Sequence, residues 1–280
     1  MTPTDSQAAV LACADPRLGA ALEYVLATPG KQLRARLVRA SHQLLSEDPC
    51  DGVESVATAI EWLHSYSLVH DDLPAMDDDA LRRGKPTVHT VYDDATAILV
   101  GDGLQAAAFT LITREQGLSP DTRIKLLELI SSAVGFGGMV GGQALDMAAE
   151  GAAISLDALR QIHSQKTGAL IRAAVLAGAL CAEAKDVDLA RLDGFAGAIG
   201  LAFQVADDIL DVTQNSSTLG KTAGKDLAVE KSTYVRHLGL EGAREEAERL
   251  LAEALGMLES YGARGTALTD LAVAMVRRAN

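Results

Sequence analysis

HDDLPAMDDDALRRGKPT, residues 70–87, puts five aspartates into nine positions, Asp71 to Asp79, and follows them with Arg82 and Arg83. The chain already carries a net charge of -13, from 25 Lys+Arg against 38 Asp+Glu. Carboxylates this close repel, and some resist ionising unless something positive stands between them. Six positions separate Asp71 from Asp77, which on an unbroken helix would point them in different directions. Pro74 resolves this: the helix bearing Asp71 and Asp72 is expected to end near residue 72, and the later aspartates curl back. A multivalent cation is the simplest group to fill the space between them.

Upstream, apolar residues recur at three- and four-residue steps, as in Val53, Val56, Ala57, Ile60, Leu63 and Leu68. That is the helical period, and it continues along the chain with no convincing alternating strand run. Breaks fall at Pro29, at residues 46–49, at Gly84-Lys85-Pro86, at residues 119–121 and across residues 214–225. They leave about ten helical segments with short connections and no composition shift that marks a linker. The expectation is an all-α single domain over residues 1–280, its site built from side chains of facing helices. Several segments are apolar on more than one face, so a homodimer is expected to cover some of that surface.

Composition excludes several classes. At 48% hydrophobic and 22% charged, the chain reads as globular. Its acidity argues against nucleic-acid partners and against attraction to anionic membranes. Cys13, Cys50 and Cys181 show no CxxC spacing, so neither a zinc site nor a disulfide frame is expected, and a reducing, cytoplasmic setting fits. Residues 1–7 are polar, without the basic start and apolar core of a signal peptide. The apolar stretches at 167–182 and 194–206 are interrupted by Arg172 or too short to span a bilayer, so no stable membrane insertion is expected.

A second acidic cluster, FQVADDILD, holds Asp207, Asp208 and Asp211. Asp207 and Asp211 are four apart, so a helix stacks both carboxylates on one face. A single aspartate run is ordinarily a solvated loop or a cap. Two runs, each on an apolar helix and each near basic or amide side chains, call for another account. An EF-hand is excluded, because counting from Asp71 the sixth position is Met76 and the twelfth Arg82, not Gly and Glu. Oxygen-only ligands without His or Cys spacing point to Mg²⁺, which keeps waters and bridges phosphates. Arg82 and Arg83, adjacent and therefore splayed, can each take a different phosphate group. Lys31 and Arg34 in PGKQLRARL are placed three apart at the opening of a helix, and Lys166-Thr167 stands in HSQKTGAL. Lys221, Lys225 and Lys231 lie in GKTAGKDLAVEKSTY, which is no P-loop because position 215 is Asn; a segment closing over phosphates is expected instead.

The blocks GKQLRARL, EWLHSYSLVHDDLPAMDDDALRRGKPT, GDGLQAAAF, GGQALDM, HSQKTGALI, FQVADDILD and LGKTAGKDLAVEKSTY run in order from residue 30 to 235. In them the chain resembles the trans-isoprenyl diphosphate synthases, most of all the bacterial farnesyl diphosphate synthase type. The resemblance implies an isoprenoid synthase fold of about ten or more helices, with both acidic motifs facing a deep central cavity. By match, Asp71, Asp77 and Asp207 hold Mg²⁺, about three ions with substrate bound, and Asp211 acts through water. Lys31, Arg34, His64 and Arg83 would bind isopentenyl diphosphate. Arg82, Lys166, Thr167, Gln204, Lys221 and Lys231 would surround an allylic diphosphate, with Lys166, Thr167 and Gln204 as catalytic residues and the Thr167 hydroxyl and Gln204 amide facing the carbocation. Tyr66 and Ser67, just before the first motif, would form the floor that stops the growing chain. Ala35 (where relatives carry Pro), Ala80 and Lys225 depart from the pattern without removing a ligand.

The implied activity is head-to-tail condensation of isopentenyl diphosphate with dimethylallyl and geranyl diphosphates, giving (E,E)-farnesyl diphosphate. Geranylgeranyl or geranyl diphosphate is the alternative product. A terpene cyclase and a non-catalytic regulatory subunit are further alternatives. Lys31, Arg34 and Arg83 speak against the cyclase, which has no second diphosphate to bind, and two intact aspartate motifs speak against the subunit. His70 is read as structural.

Overall fold

In the computed structural model, which describes residues 5–48, 50–213 and 232–277, the apolar spacing resolves into helices packed on one another. They are α1 (Asp5–Val10), α2 (Pro16–Leu26), α3 (Leu33–Leu45), α4 (Asp51–Asp71), α5 (Val88–Val91), α6 (Asp94–Arg114) and α7 (Pro120–Val134). There follow α8 (Met139–Ala148), α9 (Leu156–His163), α10 (Ala169–Cys181), α11 (Asp186–Thr213), α12 (Tyr234–Leu258) and α13 (Thr266–Val276). A π-helical turn, Ser164–Gly168, joins α9 to α10, and a 3₁₀ stretch, Glu259–Gly265, joins α12 to α13.

The starts of the helices follow local chemistry. Asp15, Asp93, Ser119 and Ser155 each accept the backbone N–H three residues on, and Pro16 and Pro120 stand in the first turn where no N–H is needed. The start of α3 is different. Gln32 before it is left-handed (φ 47) and gives no side-chain cap; Glu61 on α4 reaches across instead, accepting the Ala35 N–H at 2.8 Å. That pairing buries Glu61 and locks α3 onto α4.

The core is made of small and branched aliphatic side chains from α3, α4, α6, α10 and α11, among them Leu37, Val38, Ile60, Leu63, Leu104, Leu170 and Ile199, all fully buried. Burying each such side chain contributes about 1.5–3 kcal/mol before entropy is charged against it. The closest pairings are α11 with α12, α4 with α6, and α10 with α3.

Two features differ from the sequence expectation. Leu81–Arg82 (β1) and Lys85–Pro86 (β2) form a minimal antiparallel hairpin, with Leu81 opposite Pro86 and Arg82 opposite Lys85. Its two turn residues, Arg83 (φ 54) and Gly84 (φ 75), both take positive φ, as a two-residue hairpin loop demands. Two residues per strand are too few to leave an alternating pattern in the sequence. Secondly, α6, and residues 120–148 taken across α7 and α8, are long and apolar enough to cross a membrane by length and composition alone. The turn at Gly135 divides the second of these, and half of the α6 window is buried inside the protein.

Candidate active site

The first acidic cluster sits where α4 ends at Asp71, and Pro74 does bring the chain back on itself. The Asp77 N–H donates to the Asp71 carbonyl at 2.8 Å, and the Asp79 N–H donates to the Asp72 carbonyl at 3.2 Å. Asp78 adopts φ 49 to complete the turn. The two halves of the motif thus meet. Burial pushes the Asp71 carboxyl up to about 6; Lys166 and Arg82 oppose that shift, while Asp77 and Asp72 add to it. Asp72 is buried and takes the Arg82 guanidinium through Nε at 2.7 Å and Nη2 at 2.6 Å. Arg82 is thereby part of the motif's own architecture. Its charge is reinforced, since the Asp72 hydrogen bond and the surrounding carboxylates outweigh the cost of burial.

The second cluster lies in the last two turns of α11. Asp207 accepts from the Gln204 amide at 3.3 Å, and Gln204 accepts from the Thr167 hydroxyl at 3.2 Å. Asp211, one turn further on, is exposed. Asp208 turns away to a different task, accepting the Tyr234 N–H at 2.7 Å and so fixing the start of α12. Thr167 and Lys166 both project from the π-helical turn. Lys166 donates to Asp146 of α8 at 2.6 Å and also lies within electrostatic reach of Asp71. Hydrogen bonds therefore run from Asp207 through Gln204 to Thr167 on the π turn, and the neighbouring Lys166 on that turn acts on Asp71 through its charge.

Cationic groups close the other side. Arg34 is sensed by Glu61 and Asp207; burial lowers it to about 10, so it stays charged at neutral pH, yet its Nε is buried without a hydrogen-bond partner. His64 is held well below the ordinary imidazole range, first by burial and then by Arg34, Arg83 and Arg82, so it is neutral. Arg83 points away from Arg82, donating to the Thr28 carbonyl at 2.8 Å. Lys31 is the exception. It is exposed in the turn before α3, because the helix begins only at Leu33, so it does not share a helical face with Arg34. Lys221, Lys225 and Lys231 lie outside the described residues. On α4, Tyr66 is 5% exposed, and burial raises its hydroxyl against the opposing Gln105 side chain; Ser67 donates to the His64 carbonyl of its own helix.

The polyprenyl synthetase family model matches residues 15–265. The chain belongs to that family. The farnesyl diphosphate synthase of Escherichia coli (strain K12) is 46% identical over 263 residues, covering 92% of this chain and 88% of that protein. An FPP/GFPP synthase from Zymomonas mobilis, solved in its apo form, superposes with a TM-score of 0.87 at 39% identity, covering 96% of this chain and 93% of that one. A Helicobacter pylori geranyltransferase complexed with magnesium and isoprenyl diphosphate superposes with a TM-score of 0.83 at 32% identity, covering 99% and 98%.

Three residues of this polyprenyl synthetase hold its site groups in place without having stood out among the aspartates and cations of the motifs, and a fourth is buried beside them. Glu61 caps α3 and faces Arg34, Asp72 holds Arg82, Asp146 holds Lys166, and Gln143 is buried on α8 with both amide atoms unpaired. Glu61 lies in the EWLHS block and Gln143 and Asp146 in GGQALDM, so their polarity inside apolar helices was the available signal. Magnesium fits the donor set, which is carboxylate only. Among the described residues no three Asp, Glu, His or Cys side chains converge as a ready-made cage. Mg²⁺ needs none, because it takes one or two carboxylates and completes its shell with water and phosphate oxygens.

Proposed function

We propose that this chain joins isopentenyl diphosphate head-to-tail to dimethylallyl and then geranyl diphosphate, stopping at (E,E)-farnesyl diphosphate. What carries this reading is the hydrogen-bonded line from Asp207 through Gln204 to Thr167 on the π turn, whose Lys166 acts electrostatically on Asp71, with cationic Arg34 within electrostatic reach of Asp207. Two acidic clusters that met only each other would be destabilising; with a metal and a diphosphate between them they are matched.

Bound Mg²⁺, about three ions with substrate present, would neutralise the allylic diphosphate and stabilise the charge that gathers on it as its C–O bond breaks. Asp71, Asp77 and Asp207 would hold those ions, and Asp211 would act through water. Lys166, anchored by Asp146, and Arg82, anchored by Asp72, are preorganised for the departing charge, with Lys221 and Lys231 supplied from outside the described residues. Arg34, His64, Arg83 and Lys31 take the second diphosphate. Thr167 and Gln204 offer oxygen dipoles to the allylic cation, oriented because the Thr167 hydroxyl donates to Gln204 and the Gln204 amide donates to Asp207. The homoallylic double bond of isopentenyl diphosphate then forms the new C–C bond, and the proton lost restores the alkene. The released diphosphate accepts that proton, so no side-chain base is needed. The apolar packing of α4, α10 and α11 around these groups would limit the water that could quench the cation.

The active form is a homodimer of single-domain chains spanning residues 1–280, working in the cytoplasm without stable membrane insertion or nucleic-acid partners. Ile98 and Leu99 on the outer face of α6, with Phe136 (93% exposed) and Val140 beyond it, form the apolar surface a second copy would cover. Sedimentation returning the 29.3 kDa monomer would contradict that.

Incubation with isopentenyl and geranyl diphosphates plus Mg²⁺ tests the activity. The fifteen-carbon alcohol after dephosphorylation is the expected product. The FPP/GFPP name of the Zymomonas neighbour favours longer products as the second reading. Cyclic hydrocarbons, or no product at all, would overturn the proposal.

A further inference from the structure

Tyr66 and His70 are four apart on α4 and therefore on one face. Their rings meet edge to face, 5.7 Å between centroids and 80° between planes, the favoured arrangement for two aromatic groups. The His70 ring is in turn fixed from outside α4. Its Nε2 lies 3.2 Å from the Ile98 carbonyl of α6, which can only accept, so Nε2 carries the proton. Gly101, one turn further along α6, makes the room. A Cβ there would stand 2.0 Å from Nε2 and 2.4 Å from Cδ2, so no other residue at 101 is compatible with the ring where it lies. Asp102 Oδ1 approaches Nε2 on the same side at 3.9 Å.

We infer that His70 is a positioning residue for product length: clamped between the Ile98 carbonyl and Gly101, its ring holds Tyr66 at the depth where the growing chain stops. This rests on the assignment of Tyr66 as the pocket floor. It explains why a polar ring occupies an apolar helix face beside Tyr66, a position that the diphosphate chemistry does not use. It also explains why α6 carries glycine where the His70 ring of α4 lies against it. Remove the ring and Tyr66 has space to swing aside; displace the ring and the floor moves with it.

The test is the ratio of twenty- to fifteen-carbon alcohols after reaction with geranyl and isopentenyl diphosphates in Mg²⁺. Being a ratio within one reaction, it is not mimicked by a fall in turnover caused by disturbing neighbouring Asp71. His70→Gln, which keeps a donor for Ile98 but lacks the ring, is expected to raise the ratio about 10-fold, the scale of a methylene-sized change in a pocket. Gly101→Ala should raise it similarly, and it tests the clamp independently if His70→Gln does not fold. His70→Phe, which keeps an aromatic edge against Tyr66 but gives up the bond to Ile98, should fall between the wild type and His70→Gln. Tyr66→Ala should lengthen products by itself, and adding His70→Gln should lengthen them no further. An unchanged ratio in Tyr66→Ala overturns the floor and the inference together. Longer products in Tyr66→Ala alongside wild-type ratios in His70→Gln and Gly101→Ala overturn the role of His70 alone.

Discussion

Asp71→Asn is expected to cut turnover by about 10³-fold, the upper scale for removing one preorganised electrostatic group, while the metal-free protein becomes more stable at neutral pH. Both effects come from one cause. Folding lifts this carboxyl from 3.8 to about 6 by burying it beside Asp77 and Asp72. A carboxyl whose pKa is raised by folding binds its proton more tightly in the folded state, so ionising it works against the fold. That cost is absent below pH 3.8, grows between 3.8 and about 6, and is complete above. Asparagine never incurs it. The stability gap between the variant and the wild type should open across that window and reach on the order of 2–3 kcal/mol by pH 7. Thermal unfolding in EDTA from pH 4 to 8, with circular dichroism confirming unchanged helicity, checks it. Equal midpoints across the range, or retained turnover, would count against a cation-holding role for Asp71.

Gly142→Ala should be strongly damaging for a change of one methyl group. A Cβ at 142 would fall 2.1 Å from the Lys166 backbone nitrogen and 2.6 Å from its Cα, and backbone atoms cannot swing clear as a side chain can. Overpacking of this kind costs about 1–3 kcal/mol. The part that must yield is the π-helical turn, which carries Lys166 and Thr167. If these groups face the reacting carbon, as proposed, a shift of about 1 Å is worth about 10² in rate. The variant is expected to lose kcat by about that factor, with a lowered Tm. Gly197→Ala on α11, where nothing lies within 4 Å, serves as the control and should be close to neutral. Normal kcat in Gly142→Ala would mean that the π turn tolerates movement and does not position the chemistry.

What could be read from the sequence was whatever depends on near neighbours. The 3.6-residue period of α4 and the stop at Pro74 are local, as is the stacking of Asp207 over Asp211, and they stand in the structure as expected. What escaped depends on partners distant in the chain. Asp71, Asp72, Asp77, Asp207 and Asp208 look alike in sequence. Only tertiary contacts give Asp72 its pairing with Arg82 and Asp208 its place at the start of α12, tasks that set these two apart from Asp71, Asp77 and Asp207. The cap on α3 comes from Glu61, 26 positions beyond Ala35, so Gln32 gave no cue that the helix would begin after Lys31. The π turn left no cue of its own either: it packs against α8 at Gly142, a neighbour more than twenty residues back in the chain.

That two acidic helix ends grip one diphosphate through shared metal is best tested by calorimetric titration of inorganic pyrophosphate in Mg²⁺ against the wild type, Asp71→Asn, Asp207→Asn and the double variant. Each single change should weaken binding at least about 10-fold, and the double variant should bind hardly worse than the weaker single one, because the two carboxylates act on one ligand. Losses that multiply, as from two independent sites, or wild-type affinity in Asp207→Asn, would contradict it.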